Sequence, residues 1–346
     1  MKTKSSTGLA PGSWTLGVEH WGPFSTRSLP PGALVIADER VLRLHPRLKT
    51  ALRAHAVLPL KAGEGAKSLS TLGRLAEKTL GLSRTGTLVA IGGGTIGDLA
   101  TVLAHLIKRG VRLIHVPTTL LAAVDSSLGG KGAVNVGVVK NALGVFHCPD
   151  ETWLCPELFE TLTETQRREG RLEGWKMALG DKALWERWSK GAPEDAALIR
   201  QSRQLKARIC ASDPYERTGA RTVLNFGHTF GHVIESVSGH RVRHGEAVGL
   251  GMLCALDVGV ALACTPAHIA EEVEAALPNS PGARVRLAQV LSKTGVDEVA
   301  QLLVSDKKGA EDGAVKMVLL EKPGVWHIQP VQQRIWARLF ERWQRR

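Results

Sequence analysis

One segment constrains this chain more than any other: Thr87-Leu-Val-Ala-Ile91 runs without a break into Gly92-Gly-Gly94, and a helical pattern follows from Ile96 to Lys108. A short, β-branched apolar run reads as a buried strand. Glycines directly after it let the backbone turn tightly and come close to a bound group, and the helix that follows offers free N–H groups at its start. The neighbouring sequence repeats the pattern. Ala33–Ala37, Ala56–Leu60 and Val111–Val116 read as strands, the last stopped by Pro117, with helical stretches over 48–56 and 68–80. Strands separated by helices imply a parallel sheet with crossover connections. From about Pro156 the pattern becomes helix after helix, over 164–177, 195–212, 227–239, 245–263, 267–276 and 295–303, with a hairpin near Val315–Leu320 and Val325–Ile328. The expected fold class is therefore α/β: a Rossmann-like N-terminal domain with a parallel sheet over residues 1–153, then a mainly α-helical C-terminal domain over residues 154–346.

Charge narrows the choice of partner. The 346 residues carry 45 Lys and Arg against 33 Asp and Glu, a net charge of +12. That balance suits nucleic acid, an acidic membrane surface or a phosphorylated substrate, and charge alone does not choose among them. The cysteines Cys148, Cys155, Cys210, Cys254 and Cys264 form no CxxC pair, which favours free thiols in a reducing compartment, the cytoplasm. The N-terminal MKTKSSTGLAPGSW holds no apolar run of the signal-peptide kind. Ala247–Cys264 is nearly all apolar, but it contains Asp257 and barely reaches spanning length. A buried core helix is expected there, and no membrane partner. The basic stretch Arg334–Arg346 is expected to pack through Trp336, Leu339, Phe340 and Trp343 and to leave its arginines in solvent, so no nucleic-acid partner is expected either.

Three groups of residues carry chemistry. The glycine turn has the spacing GGGxxGD rather than GxGxxG, so it suits a pyrophosphate but also suits a plain strand-to-helix connection. Asp38-Glu39, after the Ala33–Ala37 strand, could accept hydrogen bonds from ribose hydroxyls or form a solvated turn. His228 and His232 are spaced i, i+4 on one helix face, and His244 follows closely at the head of another helix. With a carboxylate they can form a His₂Glu or His₃ metal site with an open position; spacing leaves open which histidines bind. Finally, Asp125, Lys131, Asn135, Lys140 and Asn141 share a glycine-rich stretch without helical periodicity, read as a loop, and Arg109, Lys176, Lys206 and Arg221 add cations. Such groups suit a phosphate or carboxylate, the ordinary alternative being solvated surface lysines.

GGGTIGDLA, KRGVRLIHVPTTLLAAVDSSLGGKGAVN, KNALGVFHCP, LNFGHTFGH, HGEAVGLGM and SDKK occur in the order and approximate spacing of 3-dehydroquinate synthase, and the chain resembles that family from about Asp38 to Lys308. VPTTLLAAVDSSLGGK and NFGHTFGH are its most specific stretches. The resemblance implies Glu173, His228 and His244 as metal ligands, with His232 facing substrate instead. It implies a substrate set of Asp125, Lys131, Asn141, Lys176, Lys206, Arg221, Asn225 and His232. Arg221 and Lys206 would hold a carboxylate, and Lys131, Asn141, Asn225 and His232 a phosphate. Arg109 matches a residue that reaches into the neighbouring subunit of a homodimer. Asp38, Glu64, Lys67, Gly93, Gly94, Thr95, Asp98, Thr118, Thr119 and Lys140 match the NAD set, and Lys307 or Lys308 would add a late cation.

The implied activity converts 3-deoxy-D-arabino-heptulosonate 7-phosphate, an anionic sugar phosphate, to 3-dehydroquinate with loss of phosphate. It uses NAD catalytically and a divalent metal, zinc or cobalt, within the shikimate pathway of aromatic amino-acid biosynthesis. The rivals are a sibling cyclase of the 2-deoxy-scyllo-inosose or valiolone synthase type and a metal-dependent polyol dehydrogenase on the same architecture. The chain departs from the family pattern in three places. Gly170-Arg-Leu-Glu-Gly-Trp-Lys176 stands where Gly-Leu-Ala-Glu-Val-Ile-Lys is usual, Gly132 replaces a usual threonine, and the 216–221 segment is one residue longer.

Overall fold

Six strands form one parallel sheet: β1 (Val18–Trp21), β2 (Leu34–Asp38), β3 (Ala56–Leu60), β4 (Thr87–Gly92), β5 (Arg112–Pro117) and, after a hairpin of β6 (Lys131–Val136) and β7 (Val139–Phe146), β8 (Glu151–Leu154). Their spatial order is β1-β8-β5-β4-β2-β3. The structure is a computed structural model and describes residues 16–137, 139–278, 280–306 and 314–345. Helices α1 (Glu39–Leu44), α2 (Pro46–Ala51), α3 (Leu69–Lys78) and α4 (Gly94–Leu106) connect the early strands. Successive strand residues point to opposite faces. Ile36, Leu88, Ala90 and Leu113 therefore meet Leu72 and Leu75 of α3 and Leu99 and Leu103 of α4. On the other face Val35, Val89, Ile91 and Ile114 meet Val41 of α1 and Leu48 of α2. With both faces covered, β4 is buried along its whole length, which is why it reads as an unbroken apolar run.

The helical half comprises α5 (Glu164–Ala178), α6 (Lys182–Trp188), α7 (Asp195–Ser212), α8 (His228–Val237), α9 (His244–Ala261), α10 (Ala267–Ala276), α11 (Ala283–Leu291), α12 (Val296–Asp306), a hairpin of β9 (Ala314–Lys322) and β10 (Val325–Gln332), and α13 (Gln333–Trp343). Among the described residues α9 is the one helix long and apolar enough to cross a membrane, but 72% of that span is buried inside the protein. Its Asp257 is satisfied there by both terminal nitrogens of Arg284 (2.6 and 3.0 Å) and by Trp343 Nε1 (2.6 Å). Helix α13 buries Trp336, Leu339, Phe340 and Trp343 and leaves Arg334, Arg338 and Arg342 exposed, as its pattern requires.

Several expectations need correction. The stretch from Val124 to Asn141 is not a loop: a π-helical turn over Ala122–Ser126 leads into the β6–β7 hairpin. Helix α4 starts two residues earlier than its apolar periodicity indicated, because Gly93 alone makes the turn. The helix expected over 48–56 is α2, started by Pro46 at its first position and ended before β3. Strands β1 and β8 and helices α1, α6 and α11 were not foreseen. Lys307 and Lys308 lie outside the described residues.

Candidate active site and metal centre

Three helices converge on one buried carboxylate. Glu173 is on α5, whose start is fixed by a capping box between Thr163 and Gln166. His228 opens α8 directly after Gly227, which holds φ +78° and whose absent Cβ would stand 2.6 Å from Met252 Cγ. His244 opens α9. One ligand atom from each of Glu173, His228 and His244 lies within 4.8 Å of the others. Glu173 Oε1 is 3.7 Å from His228 Nε2 and 3.5 Å from His244 Nε2. Glu173 is wholly buried, and neither oxygen has a hydrogen-bond partner; the ammonium of Lys176 stands 2.5 Å from Oε2 as its ion-pair neighbour. A buried carboxylate oxygen, Oε1, facing two imidazole nitrogens at separations too long for good hydrogen bonds suits a divalent cation with N/O ligands. These residues fit such an ion.

The electrostatics agree. Burial, helped by Lys176, holds the His228 imidazole neutral, its pKa well below the usual value. Burial opposes the charge of Glu173, but Lys176 and the two histidines outweigh it and keep the carboxyl ionised. Burial likewise opposes charging His244, yet Glu173 and Glu235 raise it to about 10. The proton on Nε2, facing Glu173 Oε1 at 3.5 Å, holds the place that a bound cation would take, leaving a neutral ring as its ligand. Glu235 is the second carboxylate: its Oε2 is 3.2 Å from His244 Nδ1, and its Oε1 is 3.2 Å from Lys140 Nζ.

The departures around Glu173 have packing reasons. A Cβ on Gly174 would lie 2.8 Å from the Leu198 side chain, so the glycine lets α5 approach α7. Trp175 meets Trp185 and Trp188 edge-on, with ring centroids 5.6 and 5.7 Å apart. At Gly132 the missing side chain is replaced from another element: a Cβ there would sit 2.5 Å from Cβ of Thr101 on α4.

Beside the metal group, the π-turn presents Asp125. Lys206 of α7 donates to its main-chain carbonyl and pairs with its Oδ1, both at 2.7 Å. Burial opposes ionisation of Asp125, but Lys206 and Lys176 lower its pKa. Arg221 is buried, giving Nη1 to the carbonyls of Pro214 (2.9 Å) and Gly129 (3.3 Å). Lys131 pairs with Glu216 at 2.6 Å. Asn225 ends the short helix before α8, and the His232 ring lies 5.6 Å from His228 and 6.3 Å from His244.

A cradle forms at the glycine turn. A Cβ on Gly93 would meet Thr119 at 3.1 Å, and one on Gly94 would meet Ser126 Oγ at 3.4 Å, so the turn lies against Thr119 and the π-turn. Gly94 and Thr95 begin α4, where backbone N–H groups are free. Lys67 is buried and reaches Asp98 Oδ2 and Asn141 Oδ1, each at 2.6 Å. Asn135 Oδ1 accepts from the Asn141 N–H at 2.8 Å, and its amide donates to Glu64 Oε1 at 2.8 Å. Thr118 is buried with its hydroxyl unpartnered. A bare glycine turn beside a buried, unpartnered hydroxyl fits a dinucleotide phosphate. Asp38 ends β2, the strand next to β4, and caps α1 by accepting from Arg40 N at 2.9 Å.

The structure therefore brings most of the expected residues into adjoining groups. Arg109 stays apart: it is exposed in the turn after α4, with φ +64° following Lys108 at +48°. Sequence reasoning missed Glu235 and Glu216. Glu235 had a signal, since 228, 232 and 235 are i, i+4 and i+7 on one face of α8. Glu216 had none, because its pairing with Lys131 crosses between elements far apart in the chain.

Comparison with known proteins fits this arrangement. A family model described as 3-dehydroquinate synthase N-terminal matches residues 57–169, and one described as 3-dehydroquinate synthase C-terminal matches residues 173–309. A 3-dehydroquinate synthase of Pyrobaculum islandicum is 38% identical over 328 residues, covering 88% of this chain and 90% of that protein. A solved 2-deoxy-scyllo-inosose synthase, complexed with carbaglucose-6-phosphate, NAD+ and Co2+, has a TM-score of 0.79 at 26% identity, covering 94% of this chain and 96% of that one. A 2-epi-5-epi-valiolone synthase from Streptomyces hygroscopicus with NAD+ and Zn2+ bound has a TM-score of 0.82 at 22% identity, covering 98% and 99%, a likeness of fold.

Proposed function

The chain belongs to the 3-dehydroquinate synthase family, and on that premise we propose how its residues convert 3-deoxy-D-arabino-heptulosonate 7-phosphate to 3-dehydroquinate with loss of phosphate. It is a carbon–oxygen lyase of aromatic amino-acid biosynthesis that uses NAD and a divalent metal. The observation that carries the reading is the grouping of Glu173, His228 and His244 within 4.8 Å. Support comes from Asp125, which feels Glu173 and Lys176 on one side and contributes to the environment of Asp98, beside the glycine turn, on the other.

Glu173, His228 and His244 would hold zinc or cobalt, which lowers the pKa of a substrate hydroxyl and orients it. Gly93, Gly94, Thr95, Asp38, Glu64, Lys67, Asp98, Thr118, Thr119 and Lys140 would hold NAD, which would supply a hydride acceptor regenerated by the end of the turnover. Lys206 and Arg221 hold the substrate carboxylate. Lys131, Asn141, Asn225 and His232 hold the phosphate that leaves, and Asp125 and Lys176 orient the ring between them. On this reading residues 1–153 bind the dinucleotide and residues 154–346 bind metal and substrate. The protein acts as a homodimer in the cytoplasm, with Arg109 of one protomer completing the site of its partner; its exposed position, apart from its own chain's site, supports that arrangement. Neither a nucleic acid nor a membrane is a partner.

The test is an assay of inorganic phosphate released from the heptulosonate phosphate with NAD and zinc present. Stoichiometric phosphate without net NADH is expected. Accumulating NADH would make the protein a polyol dehydrogenase. Release only from a sugar phosphate lacking the carboxylate would make it a sibling cyclase.

A further inference from the structure

We propose that Arg203 is a positioning residue for Asp125, anchored in turn by Glu19 of strand β1. The inference rests on the reading above, in which Asp125 contacts substrate. Arg203 is on α7 and is 1% exposed. A buried cation is costly unless it is paired and hydrogen-bonded. Its Nη1 donates to the carbonyl of Ala123 at 2.7 Å and to Ser127 Oγ at 2.8 Å. Those two residues bracket Asp125 from either side. The turn between them is π-helical, closed by Ser127 N donating to Ala122 O at 3.0 Å. Single π-turns are rare and occur often at functional sites.

Three residues along α7, and so on the same helix face, Lys206 grips the carbonyl and carboxylate of Asp125 itself. The helix therefore holds the turn at residues 123, 125 and 127. Lys206 restrains the carboxylate directly, and Arg203 fixes the backbone that aims it. Burial lowers the pKa of Arg203, and Glu19, 2.6 Å from its Nε, counters that. Glu19 lies before residue 57, where the family match begins. Its strand is the edge strand of the sheet, paired with β8, and is tied again to α7 where Arg200 stands 4.9 Å over the Trp21 ring. The sheet edge thus reaches the site through one guanidinium. Only a planar fork can serve Glu19 through Nε and the turn through Nη1 together, so lysine is no substitute.

The test compares Arg203→Lys and Glu19→Gln with wild type in kcat, KM, NAD affinity and melting temperature, on the zinc-loaded protein. Misplacing a substrate-orienting group by about 1 Å costs on the order of 100-fold. Arg203→Lys should lose roughly that much in kcat/KM while its NAD affinity stays within about twofold. Glu19→Gln, at the partly exposed end of the pair, should fall in the same direction by less. In the double variant with Asp125→Asn the losses should not add, because Arg203 acts through Asp125. Additive losses, or equal weakening of NAD and substrate binding, would reduce the pair to a structural staple and overturn the inference. Should Arg203→Lys not fold, the Glu19→Gln and Asp125→Asn cycle decides in the same way. A wild type that releases no phosphate would fail the functional reading itself, and the inference with it.

Discussion

Nδ1 of His244 lies 3.2 Å from Oε2 of Glu235. A histidine that binds a metal commonly donates its other ring N–H to a carboxylate, which fixes the tautomer and strengthens the ligand. Glu235 accepts that hydrogen bond from a buried position, and burial is outweighed by His244 and Lys140, which hold its pKa at about 2. Glu235→Gln keeps the shape and removes the charge. We expect zinc affinity, read by chelator competition, to fall about 10- to 100-fold with the melting temperature little changed. Unaltered affinity would leave Glu235 a partner of Lys140 only.

The distance between His228 and His244 is set by how closely α8 and α9 cross. A Cβ on Gly251 would stand 2.1 Å from Gly227 O and 2.6 Å from Gly231 N. Those are backbone atoms, so the helices themselves must separate. Gly251→Ala should cost about 1–3 kcal/mol in stability, as overpacked sites do, and should weaken zinc binding as well. Gly65→Ala, where a Cβ meets nothing within 4 Å, is the control and should do neither.

The departure at Gly132 is compensated by Thr101, whose Cβ would be 2.5 Å from an added Cβ. Gly132→Thr should therefore destabilise by about 1–3 kcal/mol on denaturant unfolding. Combined with Thr101→Gly, which itself costs stability by leaving His115 Nε2 without an acceptor, it should lose less than the two single losses summed, since the two substitutions exchange one side chain across the same contact. The Asp98 carbonyl, 3.0 Å from the same point, keeps the relief incomplete. Full additivity of the two losses would mean that Thr101 is not what excludes the threonine.

What could be read in advance followed local periodicity and short motifs. Helices α7 and α10 emerged because their burial repeats at the helical period, and strand β4 and the glycine turn because an unbroken apolar run leads straight into three glycines. The histidines stood out because four of them, His228, His232, His240 and His244, fall between 228 and 244. The β6–β7 hairpin stayed hidden because β7 is exposed along most of its length, so no apolar alternation marks it. Strand β1 is four residues with its first two exposed. Arg203 could not be found at all: a lone arginine in a helical run reads as surface, and only tertiary contacts to Ala123, Ser127 and Glu19 define what it does.

Behind the glycine turn, His115 gives the fold a sensitivity to acid. It is 5% exposed on β5, and burial, with Arg203 nearby, lowers its pKa to about 3. The Thr101 hydroxyl donates to Gly97 O at 2.8 Å, so it accepts from His115 Nε2 at 3.2 Å; burial, not this hydrogen bond, keeps the ring neutral. In the unfolded chain the same ring titrates near 6.5. Between those values the unfolded state binds a proton that the folded state does not, so stability rises with pH through this window. The contribution is complete above about pH 6.5. It is lost as pH falls toward 3, at up to about 1.4 kcal/mol per unit and on the order of 5 kcal/mol in all. Urea unfolding measured from pH 7 to pH 4 should show that slope in wild type. In His115→Gln, where an amide can still donate to Thr101, the slope should be shallower by about one proton. Parallel curves for the two proteins would place the acid sensitivity elsewhere.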